Sequence, residues 1–512
     1  MNDGARAVVV LAAAVVMVAC MPTLGFLSAE AVILVSVGVA LAGVAVFAPD
    51  LCGRLLAGEW ALRGLAVVGP AGLLVGAYRD ALAARPTPWA AYLGLVGFVA
   101  VAAGLLRRAG KQTPLGAVLP GVVLWCAGSG LLYTKLMYVE SPVGVGVVSV
   151  AWMAAVIVAT AMCLLPPAWL AGRLRSADGD TVRPAPAAVA AVLTMLVLGG
   201  ATRAGAIIAS PDPVIDVYSV LDQTPRALLR GENPYRYQIV SPYGTERARR
   251  FGVSESADPN IEIYPPGIII LATPPAAVGA DPRWMLLACW LAIGVLVARH
   301  AWSDAALHPH APALLGALML LPSGSFTAEQ AWIDPAYVAF FVLGMAMTQP
   351  VVAGLLFGFG LTVKQTAICV LPAMLAHGWH TRATRVAMAL CFSLVVLPFL
   401  IWDAGEMLRD VVLGFAQKSV HENALSLPGL VLATTGYSLP SVPLVLIALA
   451  LGVFATWWSR GSAARLVAAA GFTVCAFSLL SKYAYMNWYE GACVILLVAA
   501  AWPGGAGREP TP

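Results

Sequence analysis

Apolar runs of about 16 to 24 residues recur along nearly the whole chain, each about the length a helix needs to cross a hydrocarbon core of about 30 Å. Backbone in lipid must pair its own polar groups, so such a chain folds as a bundle of spanning helices. Of 512 residues, 60% are hydrophobic and only 11% charged, a balance outside the range of soluble domains. The runs lie near 5–27, 30–49, 61–78, 88–106, 115–137, 146–171 and 186–208, then near 283–301, 311–325, 335–348, 350–363, 366–379, 384–402, 440–458, 463–481 and 488–502. Several of the later ones are short enough to be tilted, kinked or re-entrant. The expected architecture is all-α, a polytopic transmembrane bundle of about 13–16 spans with a large extracytoplasmic loop of juxtamembrane helices. It divides into an N-terminal transmembrane module (1–208), the loop (209–282) and a C-terminal transmembrane module (283–512).

A net charge of +4 on so long a chain, with no dense Lys/Arg tract, excludes nucleic acid as a partner. The nine cysteines never pair as CxxC, which indicates neither a metal site nor a disulfide framework. The first run, Ala5 to Leu27, lacks a small-residue cleavage site behind its basic lead and reads as an uncleaved span.

Lys and Arg collect on the cytoplasmic side of membrane proteins. Counting alternately from an inside N-terminus, one side receives Arg54 and Arg63, Arg107, Arg108 and Lys111, Arg173, Arg175 and Arg183, Arg299, Arg382 and Arg385, Arg460 and Arg465, and Arg508. The stretch Tyr264 to Gly279 carries Pro265, Pro266, Pro274 and Pro275, a poor spanning helix, and is placed in or on the outer leaflet. The opposite face then gathers Glu329, Gln330, Asp334, Lys364, Gln365, the stretch Asp403 to Asn423, and Lys482, Tyr483, Tyr485, Asn487 and Trp488.

The polar interruption from Ala209 to Glu262 is long where other connections are short, and a long loop kept in such a chain carries function. Asp212-Pro213 reads as a helix start, with Asp at the N-cap and Pro at the first turn. Val214, Val217, Tyr218 and Leu221 then form one apolar stripe, with Asp216 on the opposite, aqueous face. A second helix is expected from the cap Thr224 and Pro225 to a stop at Gly231. Asp222, Arg226 and Arg230 share one side of it, either as ordinary salt-bridge support or as a cationic surface able to meet a phosphate. Asn233-Pro-Tyr235 and Tyr264-Pro-Pro-Gly267 are rigid turns flanked by tyrosines that stack on a sugar or sit at the lipid interface. Lys364 and Lys482 lie between apolar runs, where an ionisable group is a functional candidate or a snorkelling side chain. Glu329 sits in a polar external turn, a candidate for acceptor hydroxyls or a cation. Asp334, before Pro335, reads as a further N-cap. His421, Glu422 and Asn423 cluster without the second ligand set a metal site requires.

The order Asp216-x-Tyr218, Leu-Leu-x-Gly231-x-Asn-Pro-Tyr235 and Tyr264-Pro-Pro before an apolar run resembles the GT-C superfamily of integral-membrane glycosyltransferases. The likeness is to the polyprenyl-phosphate-mannose-dependent mannosyltransferases and their arabinofuranosyltransferase relatives, over about residues 205–300. That resemblance implies a multi-pass enzyme of the bacterial plasma membrane with an extracytoplasmic active site. It implies a polyprenyl-phosphate sugar donor, a glycan or glycolipid acceptor, and a role in building the cell envelope. A catalytic Asp is implied in the first large external loop, where Asp216 is the better match and Asp212 the runner-up. As general base, Asp216 would take the acceptor hydroxyl proton, with inversion, while Arg226, Arg230, Lys364 and Lys482 meet the leaving phosphate. Tyr218, Asn233, Tyr235, Tyr264 and Glu329 would hold substrate. The pattern differs from the family in placing this loop after about seven spans. No cofactor is called for; a divalent cation is the one candidate addition, since relatives differ in metal use.

Two other classes compete. A transporter or flippase of lipid-linked sugars would show ionisable groups at mid-membrane, and the N-terminal spans carry almost none. A polysaccharide polymerase or ligase would place its large loop later in the chain.

Overall fold

The computed structural model describes residues 1–19, 29–56, 114–133, 136–164, 173–175, 182–184, 186–253, 264–304, 306–378, 381–414, 419–421 and 424–503. The expected spans near 61–78 and 88–106, with Arg63, Arg107, Arg108 and Lys111, lie outside the described residues, as do Glu422, Asn423 and Arg508.

Among the described residues the chain is all-α apart from one short hairpin. Helices α1 (Asp3–Ala19), α2 (Ala29–Phe47) and α3 (Pro49–Leu55) come first, then α4 (Pro114–Tyr133) and α5 (Pro142–Leu164). Strands β1 (Arg173–Arg175) and β2 (Val182–Pro184) pair antiparallel before α6 (Pro186–Ala209). The polar loop holds α7 (Asp216–Leu229) and α8 (Glu246–Arg250), and α9 (Pro266–Ala277) and α10 (Arg283–Ser303) follow. Next come α11 (Ala311–Met319), α12 (Gly324–Glu329), α13 (Asp334–Ala346), α14 (Pro350–Gly360) and α15 (Leu371–Gly378). The chain closes with α16 (Arg382–Leu408), α17 (Leu427–Thr435), α18 (Ser441–Trp458), α19 (Ala463–Leu480) and α20 (Met486–Ala501).

Seven helices among the described residues are long and apolar enough to cross a membrane. Shorter apolar helices of 10–17 residues lie among them, consistent with the tilted or broken segments expected after residue 300. Helix α11 ends at Met319 and α12 begins at Gly324, so one expected run is split in two.

Packing is close where small residues allow it, as in membrane bundles generally. A Cβ on Gly144 would lie 2.1 Å from the backbone nitrogen of Ala209, which brings α5 and α6 into backbone contact. Helix α1 packs on α2 and α20, and α2 packs on α19, so the first and last helices share one bundle.

Contacts sort the two ends of that bundle. At one end, Arg6 donates to the Ala500 carbonyl at 2.8 Å and faces Asp304 at 3.6 Å, beside the His300–Trp502 ring contact at 4.4 Å. Arg54, Arg299, Arg382 and Arg465 belong to helix ends on this side. At the other end, Ser210, Arg283, Glu329, Lys364 and Lys482 come together with the polar loop. Helix α9 stays there. The Gly267 N–H at its start donates to the Thr362 carbonyl at 2.8 Å, and Arg283, just beyond it, donates to the Ser210 carbonyl at 2.7 Å. Gly267 is required at this approach, since a Cβ would lie 2.2 Å from the Thr362 hydroxyl.

Candidate active site

The loop departs from the helix boundaries that local sequence suggests. Residues 211–215 are non-helical, and α7 begins at Asp216, with Ile215 extended before it. Asp212 therefore caps nothing: its carboxylate forms an exposed ion pair with Arg247, which also holds Glu140 at 3.1 Å. Val214 leaves the helical stripe and packs with Tyr138 and Ala248. Thr224 starts no second helix, because its hydroxyl bonds back to the Val220 carbonyl at 2.7 Å and α7 runs on through Pro225. Gly231, in the left-handed conformation at φ 76°, ends it as expected.

Asp216 occupies the first position of this helix and is half-buried. Its Oδ1 accepts from the Val217 N–H at 2.8 Å, and its own N–H donates to the Tyr243 hydroxyl at 3.3 Å. Tyr243 also hydrogen-bonds to the Asp216 carboxylate. Burial raises the Tyr243 and Tyr138 hydroxyls above the ordinary phenol value; the negative charge of Asp216 adds at Tyr243, and those of Glu329 and then Asp216 add at Tyr138. Tyr485, before α20, is raised by burial and by the same charge. Of these three phenols Tyr243 touches Asp216, and burial keeps all three in the neutral form.

Behind Tyr485 stands His421, whose Nδ1 lies 3.3 Å from the Tyr485 hydroxyl. The His421 N–H donates to the Lys482 carbonyl at 3.1 Å, and its ring meets Tyr483 edge-on at 4.6 Å. Asp216, His421 and the segment that carries Lys482 and Tyr485, far apart in sequence, are therefore drawn into one neighbourhood.

The other predicted cations sit differently. Arg226 pairs with Asp222 at 2.7 Å and Arg230 with Glu232 at 2.9 Å, all on the exposed side. At about 1.5 Å of rise per residue they lie roughly 15 and 21 Å along the helix from Asp216. Ordinary salt-bridge support describes them better than a phosphate surface. Lys364 is buried at the start of a tight turn (Gln365–Val370), with Nζ 2.8 Å from both oxygens of Asp334 and 5.3 Å from the Trp488 ring. Asp334 is no N-cap; besides Lys364 it accepts from Asn487 Nδ2 at 2.7 Å. This buried set joins the Asp216 neighbourhood through the segment 482–488.

The residues expected to hold substrate have structural partners. Glu329 is not in an exposed turn. It is fully buried, accepting from the Met137 and Tyr138 N–H groups at 2.8 Å each and from the Ser210 hydroxyl at 2.6 Å. A carboxylate so saturated ties three chain segments together. Tyr218 donates to the Pro211 carbonyl at 3.3 Å and lies under the Arg283 guanidinium at 5.1 Å. Asn233 Oδ1 accepts from the Tyr235 N–H at 3.0 Å, and the Tyr235 hydroxyl donates to the Tyr264 carbonyl at 3.0 Å, so the two tyrosine motifs clamp each other. Tyr235→Phe should cost about 0.5–1.5 kcal/mol, read as a lower unfolding temperature in detergent with little change in catalysis.

Three further residues carry weight without a local signal. Buried Arg283 donates to the carbonyls of Ser210 and Glu329, at 2.7 and 3.1 Å, which fixes the entry to the loop. Arg203 in α6 is fully buried, donating to the Met319 carbonyl at 2.6 Å and lying 4.1 Å from the Trp290 ring. Glu490, also buried, accepts from the Thr327 hydroxyl at 3.2 Å. The expectation that the N-terminal spans hold almost no buried charge is thus corrected by Arg203. No group of His, Cys, Asp and Glu among the described residues has the arrangement of a metal site.

No curated protein and no solved structure matches the chain. Residues 263–482, less than half the chain, match the family described as Glycosyltransferase family 87. Asp216 lies before that segment, whereas Tyr264, Lys364, His421 and Lys482 lie within it. With the apolar helices around it, this match supports a membrane glycosyltransferase of the GT-C type.

Proposed function

We propose that the protein transfers a sugar, mannose or arabinofuranose, from a polyprenyl-phosphate donor to a glycan or glycolipid at the extracytoplasmic face of a bacterial plasma membrane. Asp216 is the general base: it accepts the acceptor hydroxyl proton as that oxygen attacks the anomeric carbon, and the polyprenyl phosphate leaves from the opposite face. The observation that supports this reading is the half-buried Asp216 at the start of its helix, in contact with Tyr243 and near enough for its charge to be felt at Tyr138 and Tyr485, at the bundle end opposite the Arg-bearing helix ends. Neutral phenols orient sugar hydroxyls and stabilise charge without competing for the proton. Of the four cations first considered, Lys482 has its main chain bonded to His421 in this neighbourhood, and it is the residue assigned to the leaving phosphate. The Arg residues at the far end support the outward placement through the positive-inside bias.

Reconstituted protein given labelled polyprenyl-phosphate mannose or arabinofuranose and a glycolipid extract should move label to the acceptor. Label that only changes leaflet without a new glycosidic bond would sink the proposal in favour of a flippase. The buried Arg203 and Glu490 and the Lys364–Asp334 ion pair are what favour that second reading, since ionisable groups inside a bundle often mark transport paths. Asp212→Asn should leave transfer within about threefold, because it removes only an exposed ion pair of small energy; a larger loss would return the base to Asp212.

A further inference from the structure

At the end of the bundle away from Asp216, a groove of about 630 Å³ opens between α3 and the turn from α18 to α19. Its walls include Phe47, Asp50, Arg54, Trp457, Trp458 and Arg465. Two arginines and one aspartate line it, which leaves the groove net positive. Arg465 gives Nη2 to the Trp458 carbonyl at 2.9 Å, while its Nε is buried without a hydrogen-bond partner. Trp457 and Trp458 are 54% and 47% exposed, and they continue an aromatic row through Phe454, which stacks on Phe47 at 5.6 Å.

The surface leading to the groove is apolar. Leu446, Ile447 and Val453 on α18 are each at least half exposed, as suits a face against acyl chains. Tryptophans where such a face ends mark the level of lipid headgroups, and basic recesses at the cytoplasmic level take anionic ones. The volume falls within the range of small-ligand sites.

We propose that this groove binds the headgroup of an anionic phospholipid. The phosphate lies between Arg54 and Arg465, the glycerol region rests on Trp457 and Trp458, and the acyl chains descend along α18. The site is separate from the Asp216 neighbourhood and does not depend on the sugar-transfer reading.

Native mass spectrometry of the full chain, released from detergent with added phosphatidylglycerol or phosphatidylcholine, tests it. Wild type should retain phosphatidylglycerol in preference to phosphatidylcholine. The double variant Arg54→Gln/Arg465→Gln should lose that retention by about tenfold or more. Arg299→Gln, which removes a cation at the same end outside the groove, should leave retention unchanged. Equal retention of both lipids would overturn the proposal, as would unchanged retention in the double variant. Displacement of the lipid by equimolar inorganic phosphate would assign the site to free phosphate instead. Should the double variant fail to fold, Trp458→Ala is the second test: it should weaken phosphatidylglycerol retention, and an unchanged value would equally refute the site.

Discussion

The Asp216→Asn variant is expected to lose about 10² to 10⁴ in transfer rate, the usual worth of a positioned general base, while remaining folded and inserted. Asparagine keeps the shape of the side chain and an oxygen to accept from the Val217 N–H, so the start of α7 is preserved. What disappears is the capacity to take a proton. Labelled-donor turnover beside size-exclusion elution of the same preparation separates chemistry from folding. An Asp216→Asn enzyme with undiminished turnover would remove Asp216 from the reaction.

The second large effect is on stability. Lys364 and Asp334 form a buried ion pair, 6% and 3% exposed, and removing one partner of such a pair typically costs about 3–5 kcal/mol because the other charge is stranded. Lys364→Met should therefore lower the unfolding temperature in detergent sharply. Lys364→Met/Asp334→Leu, which removes both charges, should recover most of that loss. A cycle with no coupling between the two sites would mean that Lys364 has another counterion. If Lys364→Met kept its stability and raised only the donor KM, the lysine would return to the phosphate site.

What sequence could and could not disclose follows from the range of each interaction. The spanning helices are written in runs of apolar residues, and the gathering of Asp334, Lys364, Lys482, Tyr485 and Asn487 at one face follows from span parity and the placement of arginines. The loop misled where long-range contacts overrule local rules. Asp212-Pro213 carries a good helix-start signal, yet Arg247, 35 residues on, takes the carboxylate and the helix waits until Asp216. Glu329 read as a substrate-facing residue of an external turn because only Gln330 among its donors is near in sequence, while Met137, Tyr138 and Ser210 lie more than 100 positions away. Tyr138 and Tyr243 had no signal at all, since a single tyrosine in a polar connection beside apolar spans is an ordinary interfacial residue.

The neighbours of Asp216 also fix an order of events during synthesis. Tyr485 and His421 arrive from the last fifth of the chain, and the Glu329 knot that holds Tyr138 closes over 191 residues. On the proposed mechanism, a nascent chain halted after the polar loop would carry Asp216 without His421 and Tyr485, so transfer would be deferred until the segment that bears Tyr485 is in place.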